Sequence, residues 1–382
     1  MTDTTPPISY LPLEGVRVLD LTHVIAGPLA THQLCMMGAV VIKVERPGEG
    51  DGVRATRTQP DQNGVPPAFR AINAGKKSVE LDLKDPNDRD RLLTLAETCQ
   101  VFVENFRPGV AKRLGLSAED IRRVRPDVVY CSISGWGQTG DLSPLPAYDH
   151  VIQAATGLMA MQGSEGEPVK VGFPVVDAAT GMSATSAILA ALLRREKGDT
   201  SDIEIDVSMV DSAMVLMSTT YAQTIAADVA PARIGNRGLV RSPGANTFET
   251  ADGHVSIAAN TMGQFRKLCE TLGRPDLALP PYLPDGLSDI DFLFNLASQE
   301  LASELATEIR NLAAAEFEKS LVSAGVPAAR VRDLHEFLTE LYNKTPGLNV
   351  PGEPMALMPG FRSSGMFRNE SCQAPLLGEH SK

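Results

Sequence analysis

The chain has 382 residues, of which 43% are hydrophobic, and a formal net charge of −12. That length and apolar content allow two domains with sizeable cores and exclude wholesale disorder. The acidic balance argues against a nucleic-acid partner, which needs a basic face. No run of about 18 apolar residues free of charges or breakers points to a membrane span.

The first third alternates strand and helix signals. Val16 to Leu21 predicts a strand, and Pro28 suits the first turn of a helix that runs to Met37 and closes at Gly38. Val40 to Val44 and Ser78 to Leu81 predict further strands. Asp85-Pro86 is a cap and first-turn pair opening a helix to Thr98, and Val101 to Val103 is a short strand. Ser117-x-x-Asp120 opens another helix in capping-box style, and Val128 to Ser132 is a strand again. This βαβ rhythm predicts an α/β fold with a mostly parallel sheet and helices on both faces.

Asp177 follows an apolar approach, Gly172-Phe173-Pro174-Val175-Val176. The small and apolar residues from Ala178 to Leu193 predict a buried helix with Asp177 as its N-cap. Free backbone N–H groups and the helix dipole favour an ionised carboxylate there. Such a carboxylate is either a plain cap or, in an apolar setting, a nucleophile.

Downstream, Ile203 to Val207 predicts a strand, and Met209 to Ile225 a helix. Asn246 to Glu249 and His254 to Ala258 flank Ala251-Asp252-Gly253, a hairpin signal. Helices are expected over 262–272, 296–323 and 333–342. These divide the chain into 1–227, a smaller α+β domain at 228–330, and a C-terminal stretch 331–382.

Other chemistries are constrained. A dinucleotide enzyme needs Gly-x-Gly-x-x-Gly after the first strand. The chain has Thr22-His23-Val24-Ile25-Ala26-Gly27-Pro28 there, although Glu45 stands where a ribose-binding acid would. Cys35, Cys99, Cys131, Cys269 and Cys372 are scattered, and no histidine pair has metal-ligand spacing. Reduced thiols in the cytoplasm and no bound metal are expected. The stretch Met1 to Pro7 lacks the pattern of a secretory signal. Arg46, Arg54, Arg57, Lys76, Lys77, Lys84, Arg107, Lys112 and Arg113 gather in the first third and suit a polyanionic small molecule.

Six segments together carry a resemblance: Val18 to Val24, Gly27-Pro28, Val41 to Gly48, Lys77 to Lys84, Val103 to Gly109, and Ala374 to His380. In this order and spacing the chain resembles the family III CoA transferases, which also include 2-methylacyl-CoA racemases and carnitine-CoA transferases. The resemblance runs from Leu13 to His380. It implies a Rossmann-like large domain built from both termini, a small domain between them, and a homodimer of interlocked chains. Residues 331–382 would then return to the large domain. It implies acyl-CoA and a carboxylic acid as substrates, with coenzyme A as co-substrate and no permanently bound cofactor. Asp177 matches the position of the catalytic aspartate. By the same matching, Arg46, Lys84 and Arg113 would hold the CoA phosphates. His23, Val24, Ala26, Leu81, Asn105 and Phe106 would line the nucleotide and pantetheine path. Ile25 and Tyr148 are candidates for the acyl pocket, and Gly135, Gly137 and Gly140 for an oxyanion site.

A racemase needs two acid–base groups flanking the α-carbon. Racemases of this group usually carry a histidine directly before an aspartate, where this chain has Tyr148-Asp149. His150 is two residues on and is expected to point elsewhere. A phenol with a pKa of about 10 is a poor base near neutrality. CoA transfer is therefore favoured over racemisation and over non-catalytic CoA binding. Ile25 replaces the glutamine of the formyl-transferring branch, whose glycine-rich small-domain loop has no counterpart here. That points to small or dicarboxylic acids rather than a formyl-CoA/oxalate pair.

Overall fold

Parallel strands buried along nearly their whole length build the larger part of the molecule. The structure, a computed structural model, describes residues 11–56, 64–164, 166–341, 360 and 373–381. Arg57, Cys372, the Met1 to Pro7 stretch and most of the 345–382 tail fall outside these.

In chain order the elements are β1 (Arg17–Leu21), α1 (Ala26–Met36), β2 (Val40–Glu45), α2 (Pro67–Asn73), β3 (Lys77–Glu80), α3 (Pro86–Glu97), β4 (Val101–Glu104), α4 (Val110–Arg113), α5 (Ala118–Val124), β5 (Val129–Ser134), α6 (Asp149–Ala155), α7 (Leu158–Met161), α8 (Val175–Glu196), β6 (Ile203–Ser208), α9 (Met209–Leu216) and α10 (Ser218–Ala227). The strands β1 to β6 pair in the order β3-β2-β1-β4-β5-β6, every pair parallel. Val18, Val41, Val103, Val129 and Cys131 join one core with α1 and α8. Leu19, Ile42, Val44, Phe102 and Tyr130 join the other with α3 and α5. A sheet buried on both faces needs such apolar runs. The strand order reverses between β1 and β4, and a crevice opens beyond the carboxyl ends of strands at such a point.

Close approach of α8 to α1 depends on Gly181, where an added Cβ would lie 2.8 Å from the Ala26 carbonyl oxygen. Thr185 Oγ1 donates to the Ala30 carbonyl at 3.3 Å across the same contact. Among the described residues, α8 is also the one helix long and apolar enough to cross a membrane. Asp177 and Gly181 interrupt its apolar run, and in the fold it packs on α1 and the sheet. The described C-terminal residues run beside β3, with Gly75 N–H donating to Gln373 O and His380 N–H to Ser78 O, both at 2.9 Å. They cover an otherwise open sheet edge.

The second unit holds β7 (Gly244–Thr250), β8 (Gly253–Ala259), α11 (Met262–Thr271), α12 (Gln299–Ile309), α13 (Ala314–Ser323), β9 (Ala328–Arg330) and α14 (Leu334–Glu340). Its sheet is antiparallel in the order β7-β8-β9, backed by Phe265, Leu268, Leu305, Phe317 and Leu321. The helix expected over 296–323 is two helices. The β7–β8 turn intervenes, since Asp252 Oδ1 accepts the Ala314 N–H at 2.7 Å and Ala251 N–H donates to Leu312 O. The helix expected from Met209 to Ile225 is likewise broken, at Met217.

The chain divides into one unit of Met1–Met159, Lys170–Ala230 and Thr345–Lys382 and another of Ala160–Val169 and Pro231–Lys344. Two boundaries differ from the expected 228 and 330. Arg233 Nε donates to Ala160 O at 2.8 Å, and Gly235 N–H to Gly163 O at 3.1 Å, which draws 160–169 into the small unit. Arg330 and Arg332 bind Glu336, Glu340 and Glu318, which keeps α14 there too.

Candidate active site

The crevice at the reversal point is floored by the turn from β1 into α1, and buried side chains hold that turn. Thr22 N–H and Oγ1 donate to Asp20 Oδ1 at 2.9 and 2.5 Å. Lys43 Nζ donates to the Thr22 carbonyl at 2.6 Å and pairs with Asp51 at 2.9 Å, both side chains fully buried. Asp51 Oδ1 in turn accepts the Val24 N–H at 3.1 Å. His23 N–H donates to Asn105 Oδ1 at 2.9 Å, and Asn105 Nδ2 returns a bond to His23 O at 2.8 Å. Under these bonds Val24 holds φ +72°. A β-branched residue there costs about 1–3 kcal/mol and persists only where its surroundings over-determine it.

Burial and Lys43 both push the His23 imidazole down, so it stays neutral near pH 7. Beneath it, Lys76 pairs with Asp20 at 3.0 Å, both fully buried. Burial alone would raise the Asp20 carboxyl, but Lys76 and Lys43 hold it well below the carboxylate range. Burial pushes Lys76 down to about 8 against the pull of Asp20. Lys76 is thus structural and does not belong with the surface cations. Arg54 is committed as well, bonding both oxygens of Glu45 at 2.7 Å. That fixes Glu45, whose second partner is Ser78 Oγ at 2.6 Å, so it is not a free ribose acceptor.

Two hollows meet at this turn. The larger, about 720 Å³, is lined by His23, Arg46, Leu81, Lys84 and Phe106 among others. The smaller, about 240 Å³, is lined by His23, Val24, Ile25, Ala26, Asn105, Phe106, Gly135, Tyr148 and Asp177. His23 and Phe106 border both. Arg46 stands at the rim, paired with Glu49 at 2.7 Å, both well exposed. Arg113 does not line the larger hollow, though its neighbours Val110 and Leu114 do. Gly137 does not line the smaller one, and its N–H already donates to Ser134 Oγ at 2.9 Å. Gly135 does line it, packed so tightly that a Cβ would lie 2.2 Å from Ala147 Cβ. Arg107, in sequence one of the clustered cations, lines it too.

Asp177 differs from its expected place. The N-cap of α8 is Pro174, which has no side-chain cap bond, and Asp177 sits inside the first turn. The capping is done from α6. Asp149, buried, accepts the N–H groups of Val176 at 2.7 Å and Asp177 at 3.0 Å through Oδ2. Gln153 Nε2 holds its other oxygen, and Gln153 Oε1 accepts the Val171 N–H at 2.9 Å. The sequence offered Asp149 only as the neighbour of Tyr148; its capping bond spans 28 residues, beyond local pattern. Among the described residues the Asp177 carboxylate has no hydrogen-bond or ion-pair partner. Burial first, and then the Asp149 charge, pushes its pKa up to about 7. The carboxylate is therefore not locked in the ionised form, as a cap would be, but divides between forms near neutrality.

Tyr148 is 66% exposed at the hollow's edge, and its ring stacks on that of His150 with centroids 6.4 Å apart. His150, expected to point elsewhere, thus lies against Tyr148, but it does not line the hollow. Ile25, the N-cap position of α1, and Ala26, its first residue, do line it, and that helix has no side-chain cap. Among the described residues no group of three or more His, Cys, Asp or Glu side chains could hold a metal ion.

The chain is similar to known proteins in sequence and fold. The chain is 35% identical to the succinyl-CoA:glutarate CoA-transferase of Mus musculus over 98% of its length and 86% of that protein's. It is 34% identical to the acetyl-CoA:oxalate CoA-transferase of Acetobacter aceti, over 94% of this chain and 92% of that one. A CAIB/BAIF family protein from Brucella suis superposes with a TM-score of 0.86 at 29% identity, covering 97% of this chain and 98% of that structure. The sequence profile of CoA-transferase family III matches residues 13–381, so the chain belongs to that family and is an enzyme of the transferase class.

Proposed function

We propose that the enzyme moves CoA from an acyl-CoA thioester to a free, small dicarboxylic acid, with Asp177 as the covalent nucleophile. The observation that carries this is one carboxylate that has no partner among the described residues, poised near pH 7 in a small hollow that adjoins a larger one.

The ionised Asp177 attacks the thioester carbonyl. The C–S bond breaks, leaving a mixed anhydride and the CoA thiolate. The thiolate then attacks the aspartyl carbonyl, releases the donor acid and forms an aspartyl-CoA thioester. The acceptor carboxylate attacks that thioester and expels the thiolate, giving an anhydride between Asp177 and the acceptor. The thiolate attacks the acceptor carbonyl, which frees acceptor-CoA and restores Asp177. Each step passes through an oxyanion. The uncapped N–H groups at the start of α1 are better placed as donors than Gly137, whose N–H is already bonded.

CoA is proposed to run from Arg46 and Lys84 at the larger hollow, past Leu81, to the His23–Phe106 gap, with its thiol end beside Asp177. Water must be kept from the anhydride, since hydrolysis would waste the thioester. Relatives whose names carry glutarate and oxalate support a dicarboxylic acceptor. An interlocked homodimer in the cytoplasm is the proposed working form. The test is trapping: wild type incubated with succinyl-CoA and then hydroxylamine should carry a hydroxamate at residue 177, read by peptide mass. An unmodified Asp177 with CoA transfer intact would remove it as nucleophile.

A further inference from the structure

Two neighbouring strands end in the same way at the point where the strand order reverses. Asp20, near the end of β1, turns back to accept the Thr22 N–H at 2.9 Å. Glu104, the last residue of β4, turns back to accept the Phe106 N–H through Oε2 at 2.8 Å. Leu21 and Glu104 are partners in the parallel register of these strands, so the two turns lie side by side. Asn105 joins them by its reciprocal bonds with the backbone of His23. The rings of His23 and Phe106, which border both hollows, stand 6.2 Å apart between centroids and are tilted by 46°. His23, Glu104, Asn105, Phe106 and Asp177 all belong to the one larger unit.

Asp20 is balanced by Lys76, but Glu104 has no such counter-charge. It is 2% exposed, and among the described residues no cation pairs with it. Burial pushes its carboxyl above the usual range, the bonds from Ser132 and Phe106 oppose that push, and the Asp206 charge adds to it. The rest of β4, Val101 to Val103, is apolar and buried. A leucine at 104 would complete that run without the cost of burying a carboxyl. What the carboxyl supplies instead is a fixed Phe106 N–H. Glu104 itself lines neither hollow, so it can act on them only through the turn it holds.

We propose that Glu104 is a positioning residue for CoA transfer: by holding the turn at 105–106 it sets the opening between Phe106 and His23 that admits the pantetheine arm to Asp177. The assignment rests on the proposed course of CoA through that gap. It gives Glu104 no contact with substrate and no proton to move.

The experiment is calorimetric titration of the intact protein with CoA and, separately, with phosphoadenosine phosphate, the nucleotide end of CoA without its arm. Wild type, Glu104→Gln and Glu104→Leu are compared. Glutamine keeps an acceptor for the Phe106 N–H and should hold CoA affinity within about threefold of wild type. Leucine removes the acceptor and should cost about tenfold in CoA affinity, while the nucleotide stays within about twofold because it binds short of the gap. The unfolding temperature of Glu104→Leu should not fall, since a buried carboxyl is lost. In turnover, kcat/KM for succinyl-CoA should fall further than CoA affinity, because the thioester carbonyl is also displaced from Asp177. Unchanged CoA affinity in Glu104→Leu, equal losses for CoA and the nucleotide, a glutamine variant as impaired as the leucine one, or a leucine variant that loses stability would each overturn the assignment. Absent hydroxylamine trapping at Asp177 in wild type would instead overturn the proposed function, so the two failures are told apart.

Discussion

Replacing Asp177 by asparagine should destroy activity and stabilise the protein. The carboxyl is held at about 7 instead of its ordinary 3.8. At about 1.36 kcal/mol per pH unit, that gap corresponds to at most about 4 kcal/mol of stability lost when the group must be ionised. Water reaches part of this side chain, and the first-turn N–H groups favour the anion by about 0.3–1 kcal/mol, so roughly 2 kcal/mol is expected. The sign follows from proton counting. Between pH 3.8 and 7 the folded state binds more protons at this site than the unfolded chain, so wild-type stability falls as pH rises and levels off above 7. Asparagine keeps the shape and has no such dependence. The assay is thermal unfolding of wild type and Asp177→Asn at pH 4, 6 and 8. The variant should match wild type at pH 4 and exceed it by a few degrees at pH 8. A variant no more stable at pH 8, or more stable by the same amount at every pH, would refute the claim that burial and Asp149 strain this carboxylate.

Activity itself should rise with pH through about 7 as Asp177 ionises, and Asp149→Asn should move that limb of the kcat/KM profile downward by removing the neighbouring charge. Asp149→Ala should also leave the Val176 and Asp177 N–H groups uncapped and lower stability by about 1 kcal/mol, read by unfolding. Arg46→Ala and Lys84→Ala should each weaken CoA binding by about 1–3 kcal/mol, whereas Arg113→Ala should cost less because its side chain does not line the larger hollow; equal losses at all three would contradict that placement. Val24→Gly should leave the unfolding temperature unlowered, since about 1 kcal/mol of backbone strain is relieved, yet raise KM for acyl-CoA by freeing the turn; a clear drop in unfolding temperature would mean the side chain is needed for packing. In heavy water no deuterium should enter the α-carbon of a 2-methylacyl-CoA, because Tyr148 stands where a racemase would place a base; incorporation lost in Asp177→Ala, without CoA transfer to any acid, would favour the racemase.

The parallel sheet was legible because its signals are local: Asp85-Pro86 and the Ser117–Asp120 box both appear as caps, and the apolar runs of β1, β2 and β5 need no partner to be recognised. The 296–323 helix was misread because its break is imposed from outside, by Asp252 of a hairpin 62 residues away. The same limit governs the site. His23, Asn105 and Phe106 could be named from the sequence, but not that Asn105 ties the turn shut with a reciprocal pair of bonds. Among the clustered cations, composition could not separate Arg46 at the rim from Lys76 in the core; only burial and the Asp20 partner do so.

The two aspartates of the site show how one residue type takes opposite roles. Asp149 is buried, yet its oxygens are filled by two backbone N–H groups and Gln153. Asp177 begins the same helix from inside and receives none of those bonds, because Asp149 has already taken the nearest donors, including the N–H of Asp177 itself. A carboxylate relieved of capping keeps its lone pairs free, and one denied compensating charge keeps its basicity; a nucleophile needs both. The strain at Val24 extends the same logic across the hollow. Lys43, Asp51, Asp20 and Lys76 form a buried charged platform whose bonds reach the backbone at 22 and 24 and fix the turn that begins α1. The uncapped end of that helix and the unpaired carboxylate of α8 then border one small space. Acyl transfer asks for this opposition of free donors and a free base, and the molecule achieves it by having other buried residues satisfy the groups that would otherwise quench both.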